Sequence, residues 1–129
     1  MREILFRAKT IENEQWVEGY FVHVPCGRFL SEEYLIQTIK DDGRIGQLHT
    51  VYEITVGQFI GLTDKNGKKI FEGDIMSERG HLFVVVYDTK WARFRLQHIG
   101  RGIQYPEWNR GEQMEIVGNI HDNPELLEG

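Results

Sequence analysis

Apolar residues recur at every second position through most of this chain, and short clusters of turn-forming residues separate the runs. Such alternation commits a segment to strand, because successive strand side chains point to opposite faces. In Glu3 to Lys9, Ile4, Phe6 and Ala8 fall on one side, and Arg7 and Lys9 on the other. In Trp16 to Val24, Trp16, Tyr20, Val22 and Val24 share one face, and Val17, Phe21 and His23 the opposite one. Leu82 to Tyr87 is a continuous, β-branched apolar run, which predicts a strand covered on both faces. Trp91 to Gln97 alternates, with Ala92, Phe94 and Leu96 inward and Trp91, Arg93 and Arg95 outward; a last strand is predicted from about Met114 to Ile120.

The segment Tyr34 to Ile39 admits two readings. Ser31-Glu32-Glu33 could cap a helix with Leu35, Ile36 and Ile39 at helical spacing. The alternation of Tyr34 and Ile36, and the turn signal Asp41-Asp42-Gly43 close behind, favour a strand. Glu12-Asn13-Glu14 predicts the link between the first two strands, and Asp64-Lys65-Asn66-Gly67-Lys68 a hairpin, since Asn and Gly both tolerate positive φ. Glu72-Gly73-Asp74 predicts a polar turn feeding a further strand. Asn123-Pro124-Glu125 is a helix start that runs only into Leu126-Leu127, so about one turn is expected. The fold class that follows is mainly β with short helical turns, in two small β subdomains. Residues 1–55 form the first and residues 56–129 the second, whose strand cadence is that of an SH3-like barrel.

With 129 residues, the chain can bury roughly two-thirds of its unfolded surface, enough for a core without metal or disulfide staples. A 40% hydrophobic content excludes the disordered class. Cys26 has no intrachain disulfide partner, which suits a reducing compartment. Met1-Arg2-Glu3 leads into a charged segment with no apolar core, so no signal peptide is expected. No apolar run approaches the roughly 20 residues that span a bilayer, so no membrane partner is expected either.

Chemistry-bearing constellations are few. Ser31 and Ser77 lie outside any nucleophile elbow and read as a turn and a strand residue. Cys26, in Pro-Cys-Gly, reads as a structural thiol, although His23 or His49 could stand beside it in space. The five histidines (His23, His49, His81, His98, His121) show no metal-ligand spacing, so neither metal nor cofactor is expected. The glycines form no phosphate-binding loop. Glu72 and Asp74, two apart, would share a strand face and could do acid–base work; the simpler reading gives Asp74 a turn-capping role and turns Glu72 to solvent.

The charge is uneven. The net −5 splits into −4 over residues 1–64 and −1 over residues 65–129, and Arg79 to Arg110 carries six basic and two acidic residues. Trp91, Tyr105 and Trp108 are interleaved with them. An Arg and aromatic face formed by Trp91, Arg93, Arg95, Tyr105 and Trp108 could stack single-stranded bases, or it could serve a protein–protein contact. An ordinary solvated strand face beside a loop is the third reading. Gly100 to Gly111 predicts a long loop whose Trp108 packs on a neighbouring subdomain or subunit.

Four segments together resemble the YopX family, encoded mainly by bacteriophages and prophages. R-E-I-L-F-R-A-K followed by Trp16 and Gly19 matches a basic-aromatic strand and a W-x-x-G turn. T-V-G-Q-F-I-G-L-T-D-K-N-G-K-K-I-F-E-G-D-I, Thr55 to Ile75, matches the central signature, with Gly57, Gly61, Leu62, Asp64, Asn66, Gly67, Glu72, Gly73 and Asp74 in register. V-V-V-Y-D leading to Phe94, and E-I-V-G-N-I-H-D-N-P-E-L-L with Gly118 and Asn119, complete the likeness. Cys26 to Gln47 and Gly100 to Gly111 look particular to this member. The resemblance implies a homo-oligomeric phage or prophage accessory protein in the bacterial cytoplasm. Such a protein would act without catalysis, through contacts with its own copies or with a host or phage protein. Nucleic acid is the alternative partner. Signature residues of turn-forming types specify a fold more than a reaction.

Overall fold

The computed structural model describes residues 3–25, 31–100, the backbone of 104–105, and 113–128. Among the described residues the chain forms eleven strands, all paired antiparallel, and short 3-10 turns. It divides into two units, Met1–Gln58 and Phe59–Gly129.

In the first unit β1 (Phe6–Lys9), β2 (Trp16–Val24), β3 (Glu33–Ile39) and β4 (Ile45–Thr50) are followed by a 3-10 turn, Glu53–Thr55. Next comes the start of β5 (Gly57–Thr63), and the neighbours run β4-β3-β2-β1-β5. Tyr34 to Ile39 is therefore strand, as its alternation indicates. Three backbone links tie the end of β1 to the end of β4: the bridge Thr10↔Val51, Ile11 N–H to the Thr50 carbonyl, and Tyr52 N–H to the Lys9 carbonyl. The sheet must curve for its first and fourth strands to meet at that corner. Ala8, Ile36 and Val51 are buried on the concave side with Phe6, Val17, Phe21, Tyr34 and Val56. Full burial of a side chain such as Ile36 stabilises by about 1.5–3 kcal/mol.

Gly19 is not in a turn, contrary to the W-x-x-G expectation. It lies inside β2, buried, paired with Phe6 on one side and Thr38 on the other. A Cβ there would stand 2.0 Å from the Gln37 carbonyl oxygen. The residue is glycine because two strands approach too closely for a side chain.

In the second unit the rest of β5 pairs with β6 (Lys69–Phe71). A five-stranded sheet follows, ordered β10-β9-β8-β7-β11: β7 (Asp74–Glu78), β8 (His81–Asp88), β9 (Arg93–His98), β10 (Gln104–Tyr105) and β11 (Glu115–Asn119). Ile70, Met76, Phe83, Val85, Leu96 and Met114 form its core, with Ile60, Leu62 and Ile116 packed on them. Neither sheet is closed, so the SH3-like barrel expected over residues 56–129 is not confirmed. The strand over Leu82 to Tyr87 is also less covered than its composition implies. Phe83 and Val85 are buried, but Val84 and Val86 are half-buried and Tyr87 is exposed. One face of β8 packs on the core and the other does not. The chain ends in the expected single turn, Pro124–Glu128.

Candidate functional site

Three groups of residues were marked out by the sequence or by exposure, and their geometry separates structural roles from interaction surface. The signature turns come first. Asp64 is buried at the mouth of the β5–β6 hairpin, where its Oδ1 accepts from the N–H groups of Asn66 and Lys68, both at 2.9 Å. Its Oδ2 accepts from Ile116 N–H at 3.0 Å, so one carboxylate holds a hairpin and β11 together. Burial pushes this carboxyl up, but the N–H donors of Ile116, Lys68 and Asn66, helped by the Lys68 charge, outweigh it and hold the group below its ordinary value. In the turn only Gly67 takes positive φ, at 81°, and Asn66 does not. The hairpin is thus a three-residue loop of the type I plus left-handed glycine kind, not a two-residue turn. Gly61, φ 95°, sits where the β5–β6 register shifts, as a bulge requires.

Asp74 is fully buried, and its Oδ2 accepts from Phe71 N–H at 2.7 Å. Gly73, φ 93°, donates to the Val85 carbonyl and accepts from Ile120 N–H, pinning the turn between β6 and β7. Glu72 lies in that turn rather than on a strand and is half-buried, so the paired-carboxylate face and a solvent-facing Glu72 are both corrected. Asn119 Oδ1 accepts from the N–H groups of His121 and Asp122, and Asn119 N–H donates to Asn123 Oδ1. A Cβ on Gly118 would stand 2.4 Å from that same Asn123 oxygen. The Asn123 side chain therefore reaches back to β11 instead of capping the turn that follows it.

The basic stretch behaves differently from its reading as a free face. Trp91 lies in the turn between β8 and β9, not on a strand, and is 64% exposed; Ala92, expected inward, is exposed with φ 53°. Arg93 is exposed, but the Arg95 side chain is only 15% exposed and its Nε lies 3.3 Å from Asp88 Oδ2. Asp88 Oδ1 accepts from Lys90 N–H, and the Lys90 ammonium lies 5.7 Å from the Trp91 ring centroid. Tyr105 pairs through its backbone with Leu96. The Tyr105 side chain, Trp108 and Cys26 lie outside the described residues.

The third group was not anticipated. On the face of the first sheet away from its core, the pairings align Tyr20, Gln37 and Leu48 in one row and Val22, Leu35 and Thr50 in the next, with Leu35 itself buried. Tyr20 and Leu48 are 56% and 55% exposed, and Ile45, paired with Ile39, is 71% exposed. At one end of this face the Trp16 ring lies 4.7 Å from the Arg7 guanidinium and 5.5 Å from the Lys9 ammonium. Glu33 ends the other. Sequence reading placed Trp16, Tyr20 and Val22 together but missed β4, because Ile45-Gly46-Gln47-Leu48 spaces its apolar residues by three. On the opposite face the Tyr34 hydroxyl donates to Glu32 Oε2 at 2.6 Å. That bond, with desolvation and the Glu32 and Glu53 charges, pushes its pKa up to about 12.

A pocket of about 270 Å³ in the second unit is lined by Val84, Gln97, His98, Ile99, Gly100 and Leu127, and neither Glu72 nor Asp74 reaches it. No cluster of three or more metal-ligating side chains forms among the described residues, and no helix there is long and apolar enough to cross a membrane. No curated protein matches the chain. Among solved structures, the crystal structure of protein EF1440 from Enterococcus faecalis aligns with a TM-score of 0.57 at 24% identity. The alignment covers 98% of this chain and 99% of that one, and it is a likeness of fold. The YopX protein family matches residues 5–128, which span the signature turns and both units, and the chain belongs to that family.

Proposed function

We propose that this protein is a non-enzymatic accessory protein, phage- or prophage-encoded and working in the bacterial cytoplasm, that acts by self-association through the outer face of its first sheet. The observation that carries the reading is the row of exposed apolar side chains, Tyr20 and Leu48 with Ile45 beside them, on strands whose opposite face is already packed. An apolar patch of this kind in water is an interaction surface by default. The occupant is a second copy. The face carries Arg7, Lys9 and Glu18 at one end, a net positive charge, and Glu33 at the other. A two-fold axis lying in the interface across the strands therefore brings opposite charges together and apolar centre onto apolar centre. A host or phage protein would then dock on the dimer.

The turn residues support a role without catalysis. Asp64, Asp74, Gly73, Gly118 and Asn119 are committed to backbone hydrogen bonds or close packing, which leaves the signature little chemistry to offer. Single-strand binding is the weaker reading, because Asp88 sits against Arg95 and takes most of its charge out of reach of a phosphate. Light scattering on the full chain tests the proposal. The wild type is expected to show a dimer mass and the Tyr20→Glu/Leu48→Glu variant a monomer with an unchanged circular dichroism spectrum. A wild-type monomer at high micromolar concentration overturns it. So would steep, salt-sensitive quenching of Trp91 by an oligonucleotide, which would move the function to the second unit.

A further inference from the structure

His81 and His98 are seventeen positions apart, yet Nδ1 of the first lies 3.2 Å from Nε2 of the second. The register explains the meeting. Phe83 pairs with His98 across β8 and β9, and His81, two residues before Phe83, projects from the same face as its diagonal neighbour. His98 is 8% exposed and packs edge-to-face on Phe83, with ring centroids 5.2 Å apart. His81 is exposed at the start of β8, where Arg79 and Gly80 take φ of 50° and 83° in the turn from β7.

We propose that His81 Nδ1 and His98 Nε2 are two ligands of an open site for a divalent transition metal of the zinc, nickel and copper class. In the metal-free chain the two nitrogens share a proton, one donating and one accepting, which fixes complementary tautomers. A metal ion takes the place of that proton, which moves through solvent to the other nitrogen of the donating ring, and then accepts both lone pairs. Metal–nitrogen distances of about 2.0–2.1 Å put two ligating nitrogens about 2.9 Å apart at a right angle and about 3.3 Å apart at a tetrahedral one. The observed separation falls between these limits, so the nitrogens keep their spacing and the rings only turn their lone pairs toward a common point. Phe83 holds the orientation of the buried ring, and the hairpin turn places the exposed one. No third His, Cys, Asp or Glu joins the pair among the described residues. Water therefore completes the coordination through the exposed His81 side, as in sites that keep open positions for exchange or for an incoming ligand. Imidazole ligands favour these metals over magnesium or calcium, which prefer oxygen.

Calorimetric titration of the full chain with zinc chloride, and separately with nickel chloride, in a non-chelating buffer at neutral pH tests the site. One ion per chain is expected. Nitrogen-15 spectra of the imidazoles should show Nδ1 of His81 and Nε2 of His98 shifting together. His81→Ala, at an exposed position, should keep the circular dichroism spectrum and weaken binding about tenfold or more, at least the loss seen when an outer-shell partner of a ligand is removed. His121→Ala and His23→Ala should leave the affinity unchanged. No uptake at about 1 mM metal overturns the proposal. So does an affinity in His81→Ala equal to that of the wild type. Light scattering of His81→Ala reads self-association separately, since the first sheet contributes no ligand.

Discussion

Asp64 ties distant parts of the second unit together through a single carboxylate. Two of its three N–H donors, Asn66 and Lys68, belong to the hairpin and the third, Ile116, to β11, 52 positions beyond Asp64, so its removal unties the β5–β6 hairpin and β11 together. Asp64→Asn turns one acceptor into a donor against an N–H group, and a loss of about 1–3 kcal/mol in urea unfolding at neutral pH is expected. The pH dependence has a definite sign. A carboxyl whose folded pKa is depressed contributes stability that is present above its unfolded value, about 3.9, and that is lost as pH falls through the folded one. Wild-type stability should therefore fall below about pH 4 more steeply than that of Asp64→Asn. Gly118→Ala forces Asn123 away from Asn119 N–H and should cost about 1–3 kcal/mol by the same measurement, in the range of overpacking. Glycine and carboxylate turn residues were visible in the sequence as such. Which N–H groups Asp64 and Asp74 satisfy was not, because those partners are brought near by strand pairing.

At the level of elements, period two located β1, β2 and β9 and arbitrated correctly for β3; a continuous apolar run marked β8, and β11 falls within the last predicted strand. It failed at β4 and at Trp91. The family resemblance, not the alternation, implied a turn at Gly19; β2 runs straight through it, because only a glycine lets the Gln37 carbonyl come so near. Gly19→Ala should cost about 3 kcal/mol or more, the scale of a core disruption, as read by thermal unfolding. Trp91 looked like the start of a strand face, yet it occupies the β8–β9 turn. Trp91→Ala is expected to change stability by no more than about 0.5 kcal/mol. Arg95→Met is expected to cost more than Trp91→Ala in the same assay, because it leaves the largely buried Asp88 carboxylate without its guanidinium partner. The face expected over Trp91 to Gln97 is thus two different environments, an exposed turn and a strand whose Arg95 is neutralised by Asp88.

For the whole molecule, uneven charge pointed to the second half as the interaction surface, while exposure points to the first unit. Local composition counts Arg95 as a positive charge whether or not Asp88 neutralises it, and it cannot see that Tyr20 and Leu48 come into one row. If the outer face of the first sheet joins two copies, association stabilises the folded chain by mass action. The melting temperature of the wild type should then rise with protein concentration over a hundredfold range, while that of Tyr20→Glu/Leu48→Glu stays constant. Calorimetric scans at matched concentrations provide the check.

Alternation and turn chemistry by themselves determined that this chain is mainly β, where most of its strands lie, and that its signature is made of residues that turn a backbone. Family membership was legible for the same reason, since turn residues keep their order and spacing along the chain. Only the tertiary structure decided that the sheets stay open, that Arg95 is spent on Asp88, that Tyr20 lines up with Leu48, and that His81 faces His98. The last three depend on the register between paired strands, and a shift of one residue would send each of those side chains to the other face.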